Sequence, residues 1–245
     1  MFSFFKKKLD TNLNLSFLGV DMHSHLLPDL DDGLQTMEQT IEFAKAMQEL
    51  GYKKLICTPH ILPGVHDNTP EIILARLQEV RTAFKENDID MPIEAAAEYM
   101  VGPEFHEAIL NDEKLLSFGN NYILIEMSYA APSQNIAKVI FDLKIKGYRP
   151  ILAHPERYNY YLGNNEVYED FIGRGCLLQI NLLSLTGFYG KPVQKAAEYL
   201  VKNKMVSFIG TDMHHMGHLN MTKSFAINVK LHQMITELEL KNHTL

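Results

Sequence analysis

The sequence predicts an α/β fold built on a parallel sheet, and three observations predict it. Short apolar runs alternate with amphipathic helical stretches seven times along the 245 residues. That many β/α units can close into a TIM-like barrel. Residues with metal-ligand chemistry fall at the ends of the predicted strands rather than scattered between them. No low-complexity linker or shift of composition interrupts the alternation. Residues 19–245 therefore read as one barrel domain behind an N-terminal arm over 1–18.

The elements follow in order. Leu15, Phe17, Leu18 and Val20 lead as a buried strand into Asp21-Met22-His23-Ser24-His25, with Asp31-Asp32-Gly33 close behind. On a strand the His-x-His spacing puts both rings on one face, where both imidazoles can close on one ion. Thr36 and Gln39 form a capping box for a helix carrying Met37, Ile41, Ala44 and Met47 at helical spacing, stopped by Gly51. A second strand, 54–58, runs into Pro59-His60. Thr69-Pro70 then opens a helix whose buried face is Ile73, Leu77, Val80 and Phe84.

The third strand, 93–97, ends in Glu98, and a short helix follows around Phe105, Ala108 and Ile109. The fourth, 122–125, ends in Glu126; a helix from about 134 with Ile136, Val139, Ile140 and Leu143 inward stops at Gly147. The fifth, 150–153, ends in His154-Pro155-Glu156-Arg157. A tyrosine-rich loop and a helix lead to the sixth, 177–180, which ends in Asn181. Pro192 opens a helix with Val193, Ala196, Ala197 and Leu200 on one side. The seventh strand, 206–210, ends in Thr211-Asp212-Met213-His214, and a last helix spans roughly 222–238.

Composition excludes several function classes. A formal charge of −7 disfavours nucleic acid or any other polyanion as a partner. Two cysteines form no disulfide framework or thiolate metal cluster, which suits a reducing, cytoplasmic setting. Neither Cys57 nor Cys176 is followed by arginine at the offset of a phosphate-loop cysteine phosphatase: Pro63 and Leu182 stand there. The aromatic and basic start, 2–8, allows at most a peripheral membrane contact, and no stretch has the length of a spanning helix.

Six of the seven strands end in a good ligand: His23 and His25, His60, Glu98, Glu126, His154, then Asp212 and His214. In a parallel barrel these ends open onto one rim, where active sites are built. A core histidine or a capping aspartate explains any one of them alone. It does not explain their recurrence at the same point of each unit. Imidazoles and carboxylates without thiolates suit manganese, iron or zinc, and so many ligands suggest more than one ion. The tyrosines Tyr158, Tyr160, Tyr161 and Tyr168 read as a surface loop that could stack on an aromatic substrate. His66, His106, His215, His232 and His243 read as solvated or lightly packed.

Taken together, His23-Ser24-His25, Leu27-Pro28, Asp31-Asp32-Gly33, Thr58-Pro59-His60, Glu98, Glu126, His154-Pro155-Glu156-Arg157, Gly187-Phe188-Tyr189-Gly190-Lys191 and Asp212-Met213-His214 resemble the PHP (polymerase and histidinol phosphatase) superfamily. More narrowly, they resemble its bacterial capsule and exopolysaccharide tyrosine-phosphatase branch. The resemblance implies a distorted seven-stranded barrel with three divalent ions per chain, manganese favoured and iron or zinc alternatives. Carried over, His23, His25, Glu98 and Asp212 hold the first ion; Glu98, Glu126 and His154 the second; Asp32, His60 and His214 the third. Arg157 matches the arginine that grips the substrate phosphate. A second such arginine is expected after the Asp-x-His motif, where this chain reads His215-Met216-Gly217-His218, and His218 is the candidate replacement.

The activity so implied is hydrolysis of phosphotyrosine by a metal-activated hydroxide, with His154, Arg157 and Asp212 as its catalytic residues. The implied substrate is the C-terminal tail of a bacterial tyrosine kinase that controls polysaccharide export. Two alternatives stay open: a small-molecule phosphomonoesterase such as a histidinol phosphatase, and a non-catalytic, metal-stabilised binding module.

Overall fold

The computed structural model describes residues 14–226 and 228–245; the expected N-terminal arm lies largely outside them. All ladders between its strands are parallel. In chain order they are β1 (Val20–Asp21), β2 (Lys54–Cys57), β3 (His60–Ile61), β4 (Ile93–Ala95), β5 (Glu98–Met100), β6 (Tyr122–Glu126), β7 (Arg149–Ala153), β8 (Leu177–Asn181) and β9 (Phe208–Gly210). They form two sheets, ordered β1-β2-β4 and β3-β5-β6-β7-β8-β9. An isolated parallel bridge joins Ser24, beyond β1, to Met213, beyond β9.

Nine segments stand where seven strands were expected, because the second and third strands are each broken in two. Pro59 has no N–H to give to a ladder. The Thr58 N–H turns to the Ser24 carbonyl, while Ala96 and Glu98 still donate to the carbonyls of Cys57 and Pro59. Glu98 therefore opens β5 rather than closing a longer strand.

The helices are α1 (Met37–Glu49), α2 (Pro70–Glu86), α3 (Pro103–Leu110), α4 (Ile136–Ile145), α5 (Glu166–Gly173), α6 (Lys191–Lys202), α7 (Met216–Ala226) and α8 (Val229–Thr236). The Thr36–Gln39 capping box and the Thr69 cap ahead of Pro70 form as expected. The last helix does not: the stretch carries two helices, beginning at Met216, and Asn228 caps the second by accepting from Leu231 N–H. The expected first strand is also shorter, since 15–18 form a turn before β1.

Alternate residues along the strands separate two apolar layers. Ile123, Ile125, Leu152, Leu178, Ile180 and Ile209 pack with the helices. Val20, Ile56, Leu124, Ile151, Ala153 and Phe208 form a second cluster on the opposite face. Both faces of the strands are thus dry, as a parallel sheet requires. Asn242 reaches in from the C-terminal segment between β1 and β9. Its side chain accepts from Ile209 N–H at 3.0 Å and donates to the carbonyls of Val20 (3.0 Å) and Ile209 (2.7 Å).

Candidate metal centre

The loops that leave the C-terminal ends of the strands deliver the predicted ligands to one place. His23 Nε2 lies 3.2 Å from His25 Nε2, 3.1 Å from Glu98 Oε2 and 3.4 Å from Asp212 Oδ1. His25 Nε2 lies 3.4 Å from the same Glu98 oxygen and 3.5 Å from the same Asp212 oxygen. Glu98 Oε1 faces the other way, 3.1 Å from His154 Nε2. His60 looks in two directions, with Nδ1 2.9 Å from Glu126 Oε1 and Nε2 3.6 Å from Asp32 Oδ1. His214 Nε2 meets that Asp32 oxygen at 3.5 Å. Glu126 shares a tight group with His60 and Glu98, whereas His154 groups with His23 and Asp212. Glu98 stands between the two groups, since its Oε1 is the oxygen that faces His154.

Two of these residues stand on unusual backbone. His154 (φ +36°) and Asp212 (φ +51°) both take left-handed conformations, which cost a non-glycine residue free energy and concentrate at functional sites. Each turns the chain sharply past a strand end, His154 directly behind β7 and Asp212 two residues behind β9.

Other side chains fix the rings. His25 Nδ1 lies 2.7 Å from Asp31 Oδ2, and that same oxygen accepts from His60 N–H at 2.9 Å. His23 Nδ1 lies 2.8 Å from Gln179 Oε1. His214 Nδ1 lies 2.9 Å from the Asp212 carbonyl, which can only accept, so in the neutral ring its Nε2 is left bare. In neutral His23 and His25 the Nε2 atoms are bare too, and two lone pairs then confront two carboxylates across a dry space. Such a set is repulsive unless positive charge sits among it.

The titration directions agree. Burial would lower the pKa of His23 and His25, yet Glu98 and Asp212 beside the first and Asp31 and Glu98 beside the second raise both. Burial would raise Glu98, but His23 and His60 hold it well below the usual carboxylate range. Burial, then the charge of Glu98, pushes Glu126 up. His60 Nδ1 is moreover buried with no well-angled hydrogen bond. This donor set fits divalent cations bound by nitrogen and oxygen.

A cavity of about 280 Å³ opens over the cluster, lined by Asp32, His60, Glu126, Tyr129, His154, Arg157, Asp212, His214, His215 and His218. Arg157 Nη1 donates to Asp212 Oδ2 at 2.6 Å, so its ion pair is with a member of the cluster and not with Glu156. Its guanidinium lies 4.3 Å from the Tyr189 ring centroid and 5.0 Å from that of Tyr129. His218 reaches the cavity wall, but its Nδ1 accepts from His214 N–H, and burial followed by the neighbouring His215 push its pKa down to about 4. It is a neutral ring there, unlike the arginine expected after the Asp-x-His motif.

The tyrosine-rich loop is only in part the surface feature expected, with Tyr160 and Tyr161 half-buried. Tyr158 and Tyr168 are fully buried, and the tyrosines beside Arg157 are Tyr129 and Tyr189. Tyr129 carries no sequence signal beyond standing three residues after Glu126. His106 is also buried, paired with Asp142 at 2.8 Å, and His232 Nε2 donates to the Asn14 carbonyl at 2.9 Å. Of the lesser histidines, His215 lines the cavity and His66 stacks on His60. Asp31, Gln179 and Asn181 carry no ligand signal in the sequence, because they touch His25, His23 and Asp212 rather than the cavity.

Known proteins resemble this chain in sequence and fold. YwqE, a tyrosine-protein phosphatase of Bacillus subtilis, is 28% identical over 92% of this chain and 93% of its own. CapC of Staphylococcus aureus is 30% identical over 91% and 89%. A solved structure of YwqE, described with CpsB of Streptococcus pneumoniae as metal-dependent tyrosine phosphatases, superposes with a TM-score of 0.80 at 28% identity, covering 90% and 88%. A histidinol phosphate phosphatase of Lactococcus lactis shares the fold, with a TM-score of 0.52 at 14% identity and 90% and 94% coverage. A family model described as capsular polysaccharide synthesis, CpsB/CapC, matches residues 19–234. The chain belongs to the CpsB/CapC family.

Proposed function

We propose that this chain is a metal-dependent protein-tyrosine phosphatase serving capsule or exopolysaccharide synthesis. The observation that carries the reading is the convergence of His23, His25, Glu98, His154 and Asp212, from four different segments of the chain, on one buried cluster beneath a cavity that Arg157 enters. The names of the relatives and the metal dependence of the solved neighbour support it. The substrate by this reading is phosphotyrosine on a bacterial tyrosine kinase tail, met in the cytoplasm. No helix among the described residues is long and apolar enough to cross a membrane. The domain is 19–245, and its sheets wrap into a distorted (β/α)7 barrel, for which the Ser24–Met213 bridge argues.

His23, His25, Glu98 and Asp212 would hold one ion, Glu98, Glu126 and His154 or His60 a second, and Asp32, His60 and His214 a third, with manganese favoured over iron or zinc. Glu98 suits the shared position because its two oxygens face different groups. Such ions, when bound, lower the pKa of water toward neutrality and neutralise phosphoryl oxygens. Arg157, charged at any working pH, offers its remaining N–H groups to the phosphoryl oxygens. The Tyr129 and Tyr189 rings confine its guanidinium and leave it little freedom to lose on binding. His218, through its Nε2–H, can donate one neutral hydrogen bond. A departing tyrosine phenolate needs little help from a general acid.

The test is an assay of purified protein with Mn2+, comparing a phosphotyrosine peptide with histidinol phosphate, beside elemental analysis. Rapid turnover of the peptide with bound metal is the expected result. Faster turnover of histidinol phosphate, or of neither, would overturn the reading.

A further inference from the structure

The sixth predicted strand is the one that supplies no ligand, and its side chains nonetheless meet the cluster. Gln179 and Asn181, on β8, are fully buried. Gln179 Oε1 lies 2.8 Å from His23 Nδ1, Gln179 Nε2 lies 2.9 Å from Asn181 Oδ1, and Asn181 Nδ2 lies 2.6 Å from Asp212 Oδ2. Two residues already placed in the metal centre, His23 and Asp212, are therefore tied by an unbroken string of two amides.

The direction of that string is forced. The Asp212 carboxylate can only accept, so Asn181 must present its NH2 to it. The Asn181 oxygen is then turned to Gln179, which must answer with its own NH2. The Gln179 oxygen is left facing His23, which must donate from Nδ1. Every amide orientation and the ring tautomer follow from one ionised carboxylate at the end.

We propose that Gln179 and Asn181 are positioning residues: a one-way amide relay that holds His23 as the Nδ1–H tautomer and occupies Asp212 Oδ2, leaving His23 Nε2 and Asp212 Oδ1 for an ion. The inference rests on the metal centre assigned above. The two freed atoms lie 3.4 Å from one another, and both face His25 Nε2, at 3.2 and 3.5 Å. The relay is itself anchored. Glu156 Oε1 accepts from Asn181 N–H at 2.8 Å and from the Ser184 hydroxyl at 2.6 Å, so the residue between His154 and Arg157 fixes where β8 ends. Gly210 leaves the room: a Cβ there would stand 2.6 Å from His23 Cβ and 3.1 Å from Gln179 Nε2. Outer partners that set the tautomer of a ligand histidine commonly change metal affinity by about 10- to 100-fold.

The experiment uses the full chain, with Mn2+ titrated by calorimetry and the Zn2+-loaded protein examined by 15N NMR of its histidines. Gln179→Met, similar in volume, removes both ends of the relay. It should weaken the tightest Mn2+ site by about 10- to 100-fold and lose the protected His23 Nδ1–H resonance. Gln179→Glu keeps an acceptor for that proton but cannot donate to Asn181. It should keep the resonance and still bind Mn2+ more weakly than wild type. Thermal melting of the metal-free variants separates this from a general loss of packing, which would lower the melting temperature without touching the resonance. Wild-type affinity in both variants, or a His23 Nε2–H tautomer in the wild-type protein, would overturn the relay alone. A wild-type chain that binds neither ion would overturn the metal centre along with it.

Discussion

Arg157 is held before any substrate arrives. Its bond to Asp212 and its place between two tyrosine rings fix a charge at the mouth of the cavity. Losing a charge-assisted hydrogen bond costs about 1.5–3 kcal/mol, so Arg157→Ala should raise KM for a phosphotyrosine peptide by about tenfold or more while bound metal stays at the wild-type count. Arg157→Lys should recover only part of this, because an ammonium cannot present two parallel donors. Wild-type kinetics in Arg157→Ala would remove the arginine from phosphate binding. Tyr129 is 44% exposed, lines the same cavity and stacks on His154. An aromatic contact adds about 0.5–1.5 kcal/mol beyond its area. Tyr129→Leu should therefore lower kcat/KM for phosphotyrosine about two- to tenfold and leave an alkyl phosphate unaffected; equal losses on both would show that it acts only through Arg157. Arg157 was legible because it directly follows a strand-end histidine. Tyr129 was not, since a loop residue carries no periodicity, and a run of tyrosines elsewhere drew attention to rings that the core had absorbed.

At the scale of the elements, the ends of strands were more legible than the strands. The candidate ligands at 23, 25, 60, 98, 126, 154, 212 and 214 stand where the β/α alternation put them, since a parallel sheet opens all its C-terminal ends one way. Helix starts were legible where a side chain caps them, as at Thr36 and Thr69. What could not be read were contacts between distant segments. Pro59 breaks a ladder whose neighbours are invisible in one dimension, and Asn242 has no local pattern. Yet Asn242 satisfies a donor and two acceptors buried between β1 and β9. Each buried polar group left without a partner costs about 1–3 kcal/mol. Asn242→Ala should therefore lose about 2–4 kcal/mol in urea unfolding, with Mn2+ affinity unchanged. An unfolding midpoint equal to wild type would show that the C-terminal segment does not hold the two strands together.

For the whole molecule, the metal-free chain must neutralise its own site: Arg157 reaches Asp212, and the rest of the balance falls to protons on the imidazoles. Burial would lower His60, but Glu98 and Glu126 raise it to about 9, and His25 is raised well above its ordinary value by Asp31 and Glu98. A histidine with a raised folded pKa adds stability that is complete below its unfolded value of about 6.5 and fades as pH climbs through the folded value. Asp32 runs the other way: the His214 hydrogen bond holds it at about 2, against the opposing effect of burial. Its contribution is present above about pH 4 and fades as pH falls through the folded value. The metal-free protein should thus melt highest between about pH 4 and 6.5 and lose stability steadily from about 6.5 to 9. A divalent ion needs those same imidazoles deprotonated, so its binding must expel protons. Added Mn2+ should lift the melting temperature more at the alkaline end of this range than at the acid end, flattening the decline. Calorimetry of Mn2+ binding in buffers of different ionisation enthalpy should register the released protons directly. A metal-free melting temperature that does not change over that interval, or binding with no proton release, would mean that the histidines of the cluster are already neutral and that something other than their protons balances Glu98 and Asp212.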